Sequence, residues 1–504
     1  MIRNAVVNFF NRPAFQLAVI SGLLIGIAYP PLPLGFIALF GLIPILHLIL
    51  NETPRMAAKW AYLSSVTANF ISLYWIGLNT GAPLWVSMLS MAGAVFYLAI
   101  WWAAFAALVS FIHGRTGKGL MAAPFLWITM ELLRTFGSLG FPWINLAVTQ
   151  STYLPVIQML EITGTYGVSF WIILVNAALY GLLVSTHKKV SPAFPVILVL
   201  LPWLFGGIRL WMWNQPEGET VKIAVVQPNV NAVDKWDQAK RNAIFSLMDS
   251  LHAEANTLNP DLVLWPESAL PTYLRTNAVT IRPIMNRIKE TGIPLLTGIP
   301  DKRTDQEGNV RYFNSTIFLK PDESKTMYTK LKLVPFGEYV PLSDVLPFLD
   351  SFNIGLMGNF EYGGNYTMFE MDSLIFSNMI CYDSSFPSVA RKFVRKGAQM
   401  LTIQTNDGWW LHTSGAYQHF ELARLRAVEN RVPVIRSANT GISGFFHPSG
   451  EHDGRIAFNE QGIVLAEVTP VKLPSFYSRF GDAFGWMISL ISIGFIGLGW
   501  ARKP

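Results

Sequence analysis

The first half of the chain is a series of long apolar stretches separated by short polar loops. A helix needs about 20 largely apolar residues to cross a bilayer, and this pattern predicts such helices. Seven are predicted, at residues 15–29, 32–50, 57–78, 84–112, 120–133, 156–185 and 194–213, and an eighth apolar run covers residues 484–500. The pattern therefore predicts a polytopic α-helical membrane domain of about eight spans.

Lysine and arginine residues in the short loops predict an orientation for these spans. Basic residues concentrate in the loops that stay in the cytoplasm. With eight spans, the following basic residues all fall on one side: Arg3, Arg12, Arg55, Lys59, Arg115, Lys118, Lys188, Lys189, Arg502 and Lys503. Both termini are therefore predicted to be cytoplasmic, and the long region between the seventh and eighth spans is predicted to lie outside the cytoplasm.

The composition agrees with a membrane protein. Hydrophobic residues make up 51% of the chain and charged residues 14%, and the mean hydropathy is +0.35. The net charge of +6 comes from scattered basic residues, without the basic patch interleaved with aromatic residues that nucleic-acid binding needs. We expect no nucleic-acid partner. The apolar run after Arg12 is followed by Pro30 and Pro31 and then by more apolar sequence, so we expect a retained anchor rather than a cleaved signal peptide.

Residues 217–478 have a different pattern, in which short β-branched runs alternate with helical stretches. "VKIAVVQPNV" is followed by a predicted helix over residues 239–256, and "LVLWPES" by one over residues 279–291. Such alternation predicts buried strands with helices packed on the sheet. The sequence thus predicts three regions: a membrane domain over 1–213, an α/β catalytic domain over 217–478, and a last membrane helix over 484–500.

Three predicted strand ends in this α/β region carry reactive side chains. "LVLWPES" places Glu267 after an apolar strand, "YTKLKLVPFGEYVP" contains Lys330, and "SNMICYDSSFP" contains Cys381, the single cysteine of the chain. Functional groups in layered sheets collect where strands end. A thiolate attacks acyl carbons, a carboxylate can take the thiol proton, and an ammonium stabilises a developing oxyanion. We expect these three side chains to converge, and we expect Lys330 to lower the pKa of Cys381.

The motifs around these residues resemble those of the carbon–nitrogen hydrolase, or nitrilase, superfamily. "WPES", "K-x-x-LVPFGE", "ICYDSSFP", "TNDGWW" and "QHFELARLRAVENRVPVIRSANTGISG" occur in order across the region. The resemblance implies an α-β-β-α sandwich and a catalytic triad of Glu267, Lys330 and Cys381. Together with the membrane spans, it extends to the bacterial apolipoprotein N-acyltransferases over nearly the whole chain.

The same resemblance implies four supporting or substrate-binding residues. These are Glu338 of "FGE", Tyr382 and Asp383 after the cysteine, and Trp236 in "DKWD". Asp383 stands where many relatives have a glutamate, and a cap for the turn at "SSFP" is an equal alternative for its role.

The implied reaction is a two-step acyl transfer in the bacterial inner membrane, with the catalytic domain on the periplasmic side. Cys381 takes the sn-1 acyl chain of a phospholipid as a thioester. The α-amino group of a diacylglyceryl-modified apolipoprotein then takes it as an amide. Glu267 is the implied base, and Lys330 with backbone amides holds the oxyanion. The implied partners are the phospholipid donor, the apolipoprotein acceptor and the bilayer. No cofactor or metal is expected, because phosphate-loop and zinc-ligand patterns are missing from the sequence.

Several alternatives remain open at this stage. A Cys–His pair using His412 or His419 is a rival catalytic arrangement. A membrane-tethered amidase or nitrilase that hydrolyses a small amide is the alternative enzyme, and a carrier with a binding domain is the alternative outside enzymes. The apolar stretch 342–360 is expected to be a lid that touches lipid, with a partly buried helix as the alternative.

Overall fold

The computed structural model describes residues 8–184, 191–213, 217–341 and 359–502. The predicted lid over 342–360 lies almost entirely outside the described residues, as do Arg3, Lys188, Lys189 and Lys503. The chain divides into two compact units. The first contains residues up to 77, 88–213 and 480 onward, and the second contains residues 78–87 and 214–479.

The first unit is helical. Its α-helices are α1 (Ala14–Ile27), α2 (Ile43–Asn51), α3 (Pro54–Leu73), α4 (Leu84–Thr116), α5 (Gly119–Leu133), α6 (Leu154–Ile157), α7 (Leu160–Leu183), α8 (Ala193–Trp211) and, after the second unit, Ala483–Ala501. The second predicted span is interrupted, because a 3₁₀ turn at Gly35–Leu39 precedes α2. The helices thus lie in the predicted apolar runs, and the 3₁₀ turn leaves the second predicted span with a shorter α-helix than the sequence suggested.

Four helices in the described parts of the chain are long and apolar enough to cross a membrane: α4, α7, α8 and Ala483–Ala501. Three further apolar helical stretches are shorter, at Ala14–Ile27, Gly35–Asn51 and Gly119–Leu133. The helix α3 has 20 residues but includes Arg55 and Lys59 and is less apolar. Length and composition therefore support four membrane-spanning helices among the described residues.

Two buried charged side chains of this first unit, Glu131 and Arg134, are hydrogen-bonded. Glu131 is fully buried and accepts from the indole of Trp127 at 3.0 Å and from the Leu146 N–H at 2.8 Å. Arg134 is also buried and donates to Asn145 Oδ1 at 2.8 Å. Buried charges are costly without such partners. Both residues therefore help to fix the packing of the helices.

The second unit is built around two six-stranded sheets. Its strands are β1 (Val221–Gln227), β2 (Leu262–Leu264), β3 (Leu295–Thr304), β4 (Val310–Leu319), β5 (Lys325–Thr329), β6 (Phe369–Met371), β7 (Leu374–Ile380), β8 (Met400–Thr405), β9 (Val434–Ala438), β10 (Ser443–Phe446), β11 (His452–Ile456) and β12 (Gly462–Val468). The strand orders are β12-β1-β2-β3-β4-β5 and β11-β10-β9-β8-β7-β6. In the first sheet β1, β2 and β3 are parallel, and in the second sheet β7, β8 and β9 are parallel. All other neighbouring strands in the two sheets pair antiparallel.

Helices cover the outer face of each sheet. Helices α9 (Arg241–Thr257) and α10 (Ala278–Thr291) bury Met248 and Ile288 against the first sheet. Helices α11 (Pro387–Arg395) and α12 (Ser414–Asn430) pack on the second sheet. The second unit ends at the short helix α13 (Phe476–Phe480), and the long helix Ala483–Ala501 of the first unit is α14 in chain order. The predicted α/β sandwich with α-β-β-α layers is confirmed.

The inner faces of the two sheets are joined by an aromatic cluster and a polar network. Phe318 of β4 lies edge-on to Phe376 of β7, with ring centroids 5.5 Å apart. Beside it, Thr316 donates to Gln404 Oε1 at 2.6 Å, and Gln404 Nε2 donates to the Trp265 carbonyl at 2.7 Å. Buried polar groups that are fully paired specify one arrangement of a core. This network therefore sets the end of β2, which leads directly into Glu267.

Candidate active site

Glu267 lies in the loop that follows β2, and the neighbouring strand β3 fixes the course of that loop. Gly298 of β3 donates to the Pro266 carbonyl at 3.2 Å and accepts from the Ala269 N–H at 3.0 Å. A Cβ atom on Gly298 would lie 2.6 Å from the Cα of Glu267, closer than real Cβ atoms come. The glycine therefore allows the backbone of the Glu267 loop to lie against β3.

Lys330 follows β5 directly and lies between two carboxylates. Its Nζ is 2.8 Å from Glu338 Oε1 and 3.8 Å from Glu267 Oε1, and the lysine is only 1% exposed. Asn314 of β4 joins the two carboxylates, because its Nδ2 donates to Glu267 Oε1 at 2.7 Å and to Glu338 Oε1 at 3.0 Å. One ammonium, one amide and two carboxylates thus form a single buried cluster.

Cys381 begins a 3₁₀ turn, Cys381–Ser385, directly after β7. Its φ is +46°, in the left-handed region, which costs a residue other than glycine about 1–3 kcal/mol. A sharp strand-to-helix turn of this kind presents a nucleophile at the end of a sheet. The thiol is buried, and the charges of Glu267 and Lys330 both act on its pKa. The structure thus brings together the three side chains that the sequence predicted to converge.

Asp383 ties the Cys381 turn to the Lys330 loop. Its Oδ2 accepts from the Tyr328 hydroxyl at 2.7 Å and from the Ile380 N–H at 3.1 Å. Its Oδ1 accepts from the N–H groups of Leu331 at 3.1 Å and Lys332 at 2.7 Å. The carboxylate thus bonds back to the residue before the Cys381–Ser385 turn and does not act as an N-cap for the turn at "SSFP", and three of its four bonds reach the Tyr328–Lys332 segment.

A second polar network lies behind the nucleophile. His419 of α12 places Nε2 3.1 Å from the Cys381 carbonyl oxygen and 2.9 Å from Ser384 Oγ. Its Nδ1 is 2.8 Å from Asp407 Oδ1, and Arg436 of β9 pairs with the other oxygen of Asp407. Asp407 follows β8, so the neighbouring strands β7, β8 and β9 each position one residue of this network. Both ring nitrogens of His419 are engaged on the backbone side of Cys381, which argues against the rival Cys–His arrangement.

The electrostatics correct one expectation from the sequence. Burial, and next the negative charge of Glu267, raise the pKa of the Cys381 thiol, although Lys330 acts in the opposite direction. Burial also raises the pKa of Glu267, against the lowering effect of Lys330. Burial disfavours the ammonium of Lys330, but the negative charges around it, that of Glu338 first, outweigh this effect and raise the pKa of Lys330. The expectation that Lys330 lowers the pKa of Cys381 is therefore wrong in this structure, because burial and the charge of Glu267 outweigh the effect of the lysine.

The remaining predicted residues lie around this cluster. Glu338 accepts from Lys330 and from the Val334 N–H at 2.8 Å, so it braces the lysine. Tyr382 is buried, with its ring edge-on to Phe386 at 5.2 Å. Trp236 is 37% exposed on the turn Asp234–Trp236, next to Lys235, whose Nζ lies 3.5 Å from the Glu267 carbonyl. No group of three or more metal-ligating side chains occurs among the described residues.

Sequence reasoning missed Asn314, Gly298, Asp407 and Lys235 as parts of this site. Asn314 lies within a strand, 47 positions from Glu267, and nothing local marks it. Asp407 and Lys235 do lie in the quoted motifs "TNDGWW" and "DKWD", which were a usable signal.

Comparisons with known proteins place this site in a class. The "Carbon-nitrogen hydrolase" family matches residues 222–475, the part of the chain that contains Glu267, Lys330 and Cys381. The second unit thus has the catalytic domain of a carbon-nitrogen hydrolase. Among solved structures, an amidase from Nesterenkonia sp. matches 53% of this chain and 95% of its own at 20% identity and a TM-score of 0.37.

The helical half identifies the branch of this class. The "Apolipoprotein N-acyltransferase N-terminal domain" family matches residues 21–178. An apolipoprotein N-acyltransferase from Geobacter metallireducens is 33% identical over 94% of this chain and 93% of its own. One from Chlorobaculum tepidum is 29% identical over 98% of this chain and 97% of its own. The chain belongs to the apolipoprotein N-acyltransferase family, and the resemblance inferred from its motifs is confirmed.

The contact of Gly298 with the Glu267 loop generates a first prediction. Gly298→Ala is expected to push Glu267 out of place and to slow the reaction at Cys381 by up to about a hundredfold, because small misplacements of catalytic groups are that costly. The measurement is the rate of covalent adduct formation at Cys381 by intact mass spectrometry. Gly364→Ala is the matched control, since its Cβ meets nothing within 4 Å and should react normally. Equal rates for both variants would contradict this role for Gly298.

The four hydrogen bonds of Asp383 generate a second prediction. Asp383→Asn keeps one acceptor oxygen but turns an NH₂ toward N–H donors, so adduct formation should slow, though less than when a triad residue is removed. Tyr328→Phe, which removes one donor of four, should be milder. Because burial raises the pKa of Asp383 to about 6, the wild-type carboxylate is increasingly protonated as the pH falls through that value. Below that pH, the difference in the rate of adduct formation between wild type and Asp383→Asn should therefore become smaller. A difference that stays the same across pH would contradict this role of the Asp383 carboxylate.

Proposed function

We propose that this chain is an N-acyltransferase that moves the sn-1 acyl chain of a phospholipid to the α-amino group of the diacylglyceryl-modified cysteine of an apolipoprotein. The observation that carries the proposal is the buried cluster of Glu267, Lys330 and Cys381 in a chain that is related to apolipoprotein N-acyltransferases over 94% of its length. A membrane-tethered amidase would share the cluster but would need only one apolar helix as its tether, whereas four long apolar helices accompany the cluster here.

The first half-reaction forms the thioester. Glu267 takes the proton of the Cys381 thiol as the sulfur attacks the ester carbon, and Lys330 with backbone amides stabilises the oxyanion. The ester C–O bond then breaks, Glu267 gives the proton to the leaving oxygen, and a lysophospholipid departs. The direction of the pKa shifts supports this order, because burial raises the pKa of the Cys381 thiol, which then needs a base, and raises the pKa of Glu267, which makes its carboxylate a stronger base.

The second half-reaction forms the amide. The neutral α-amino group attacks the thioester, the new C–N bond forms, and the C–S bond breaks. Glu267 accepts a proton from the nitrogen and returns it to the sulfur of Cys381. Glu338 and Asn314 hold Lys330 and Glu267 in place through both halves. Trp236, Tyr382 and Asp383 act as supporting or substrate-binding residues, Asp383 by fixing the Cys381 turn against the Lys330 loop.

The membrane arrangement is part of the same proposal. Residues 1–213 form a transmembrane domain of seven spans, residues 217–478 form the catalytic domain, and residues 484–500 form an eighth span. The catalytic domain lies on the periplasmic side of the bacterial inner membrane, where phospholipid donor and apolipoprotein acceptor are both available. The loop charges and the four long apolar helices support this arrangement.

The triad is tested by incubating purified protein with phospholipid and no acceptor, and weighing it by intact mass spectrometry. An acyl adduct is expected on wild type and none on Cys381→Ala, while Glu267→Gln and Lys330→Ala should reduce the rate by at least about a hundredfold, since such residues act as one unit. His412→Ala is the control, because the side-chain contacts of His412 are with Tyr417 and Phe458 and not with members of this cluster. An adduct on Cys381→Ala, or hydrolysis of small amides without any acyl adduct on wild type, would refute the proposal.

The orientation is tested with topology reporters. A reporter fused after Lys503 should be cytoplasmic, and one inserted at the turn that contains Asp305 should be periplasmic, because the loop charges favour that arrangement. The turn joins β3 to β4 at the surface, so an insertion there should leave the sheets intact. Both reporters on the same side of the membrane would contradict the proposed arrangement.

A further inference from the structure

Two cavities of the catalytic unit share part of their walls and are lined by basic side chains. The first has a volume of about 280 Å³ and the second about 500 Å³, and both are lined by Arg275 and Arg303. Lys302 adds a third cation to the second cavity. Among the described residues, neither cavity has an acidic side chain in its wall. These three residues have no task in the acyl transfer proposed above, and their charge suits an anion.

A buried carboxylate holds both arginines in place. Asp301 is 0% exposed, and each of its oxygens accepts from one guanidinium, Oδ1 from Nε of Arg275 and Oδ2 from Nε of Arg303, both at 2.8 Å. Nη2 of Arg275 also donates to the Lys302 carbonyl at 2.6 Å, and Nη2 of Arg303 donates to Thr329 Oγ1 at 2.8 Å. Donors that are already fixed lose little conformational freedom when a ligand binds. The two guanidinium groups are therefore prepared for a ligand.

Each arginine keeps one terminal nitrogen unused. In the described parts of the chain, Nη1 of Arg275 and Nη1 of Arg303 make no hydrogen bond, and the two side chains remain 34% and 41% exposed. Nζ of Lys302 lies 4.9 Å from the centre of the Tyr273 ring and has no acidic partner among those residues. Three positive charges thus share one negative charge, that of Asp301, and two positive charges remain uncompensated.

The acidic residues that flank these walls in the sequence do not supply the missing negative charge. Asp305 follows Arg303 by two positions, and Glu361 precedes the wall residue Tyr362. Both carboxylates pair with Arg311, at 3.0 Å and 3.1 Å. The excess positive charge at the cavities is therefore left for a ligand.

The first cavity lies on the face of the first sheet that is turned away from Cys381. Successive side chains of a strand point to opposite faces. On β5, the Tyr328 hydroxyl donates to Asp383 of the Cys381 turn, between the two sheets. Its neighbours Met327 and Thr329, which line the first cavity, therefore point to the other face. A ligand in this cavity would not touch the thiol.

The cavity wall is nevertheless attached to the segment that carries the catalytic lysine. Thr329 directly precedes Lys330, and the N–H of Gly363, another wall residue, donates to the Lys330 carbonyl at 2.8 Å. A Cβ atom on Gly363 would overlap the Thr329 carbonyl, so the wall lies directly against the end of β5. The site is therefore separate from the reacting atoms but adjacent to the backbone of Lys330.

We propose that the two cavities form a phosphate-binding site, in which Arg275 and Arg303 each donate from Nη1 to an oxygen of one phosphate group and Lys302 adds a third positive charge. Arginine is suited to phosphate because its planar N–H groups match the phosphate oxygens. A phosphate monoester carries a charge of about −1.5 to −2 near pH 7, which matches the two uncompensated positive charges better than a carboxylate does. The phosphate group belongs either to a free phosphate or to a lipid headgroup. This inference does not depend on the acyl-transfer proposal.

Binding is tested on the purified full-length protein in detergent, by titration followed through the ³¹P NMR line width of the probe. Inorganic phosphate and dihexanoyl phosphatidate are the two probes. Saturable broadening is expected with wild type, and Arg275→Gln and Arg303→Gln should each raise the Kd at least about tenfold, because each removes a charge-assisted hydrogen bond. Arg282→Gln is the matched control, since Arg282 is an exposed arginine of α10 without a hydrogen bond or ion pair among the described residues, and its Kd should equal that of wild type.

A third variant covers the case in which loss of an arginine disturbs the fold around the buried Asp301. Lys302 bonds to Asp301 through neither its ammonium nor its carbonyl, so Lys302→Gln should keep the thermal unfolding midpoint of wild type. It should still raise the Kd for phosphate about twofold to fivefold, as expected for an exposed charge. If the arginine variants unfold, this variant decides the matter, and an unchanged Kd would overturn the inference.

The remaining outcomes decide the class and source of the ligand. Tighter binding of dihexanoyl phosphatidate than of inorganic phosphate, with the same dependence on Arg275 and Arg303, supports a lipid headgroup, and the reverse order supports a free phosphate. Acetate added as a competitor should not displace phosphate at equal concentration, and displacement would overturn the assignment to phosphate. Absence of saturable broadening with both probes, or an equal loss of affinity in Arg282→Gln, would overturn the site itself.

Discussion

The burial of charge beside a thiol is the constraint on which the rest of the site depends. Glu267, Lys330 and Glu338 are largely removed from water, and each would be costly to bury alone. Asn314 bonds both carboxylates and so holds them on one lysine. The strands β2, β4, β5 and β7 must therefore end or pass at one place, and the two-sheet sandwich with its Thr316–Gln404 network provides that place. The price of the arrangement is a thiol with a raised pKa, which makes a nearby base necessary.

The geometry of the nucleophile depends on two separate sets of contacts. Asp383 holds the front of the Cys381 turn against the Lys330 loop, and His419 with Asp407 and Arg436 holds its carbonyl from behind. A positive φ persists only where the surroundings fix it. The two sets come from different strands, so the turn remains fixed even though Cys381 itself contributes little packing. Loss of either set would leave the thiol present but misplaced.

The sequence predicted the layers of the catalytic domain and the three residues at strand ends because those signals are local. Alternating strands and helices mark the sandwich, and each reactive residue lies in a short motif. Asn314 and Gly298 could not be predicted in this way, since their importance arises from neighbouring strands brought together by the sheet. The raised pKa of Cys381 was missed because the sequence shows a lysine nearby but not the loss of solvent. Likewise, hydropathy alone did not show that Gly35–Leu39 interrupts the second apolar stretch.

A transferase of this kind must react with an amine in preference to water, and the charges around Glu267 bear directly on that choice. Water needs only one proton removed in attacking a thioester, and Glu267 alone can take it. An ammonium must lose two, but with an ordinary pKa of about 8 roughly a tenth of such groups are already neutral near pH 7, and these need only one proton removed as the C–N bond forms. Glu267 can take that proton, because Glu338 and Glu267 hold Lys330 charged and the lysine therefore does not compete for it. The charges of the cluster thus leave one base beside the thioester, and a neutral amine, the stronger nucleophile, uses that base better than water does.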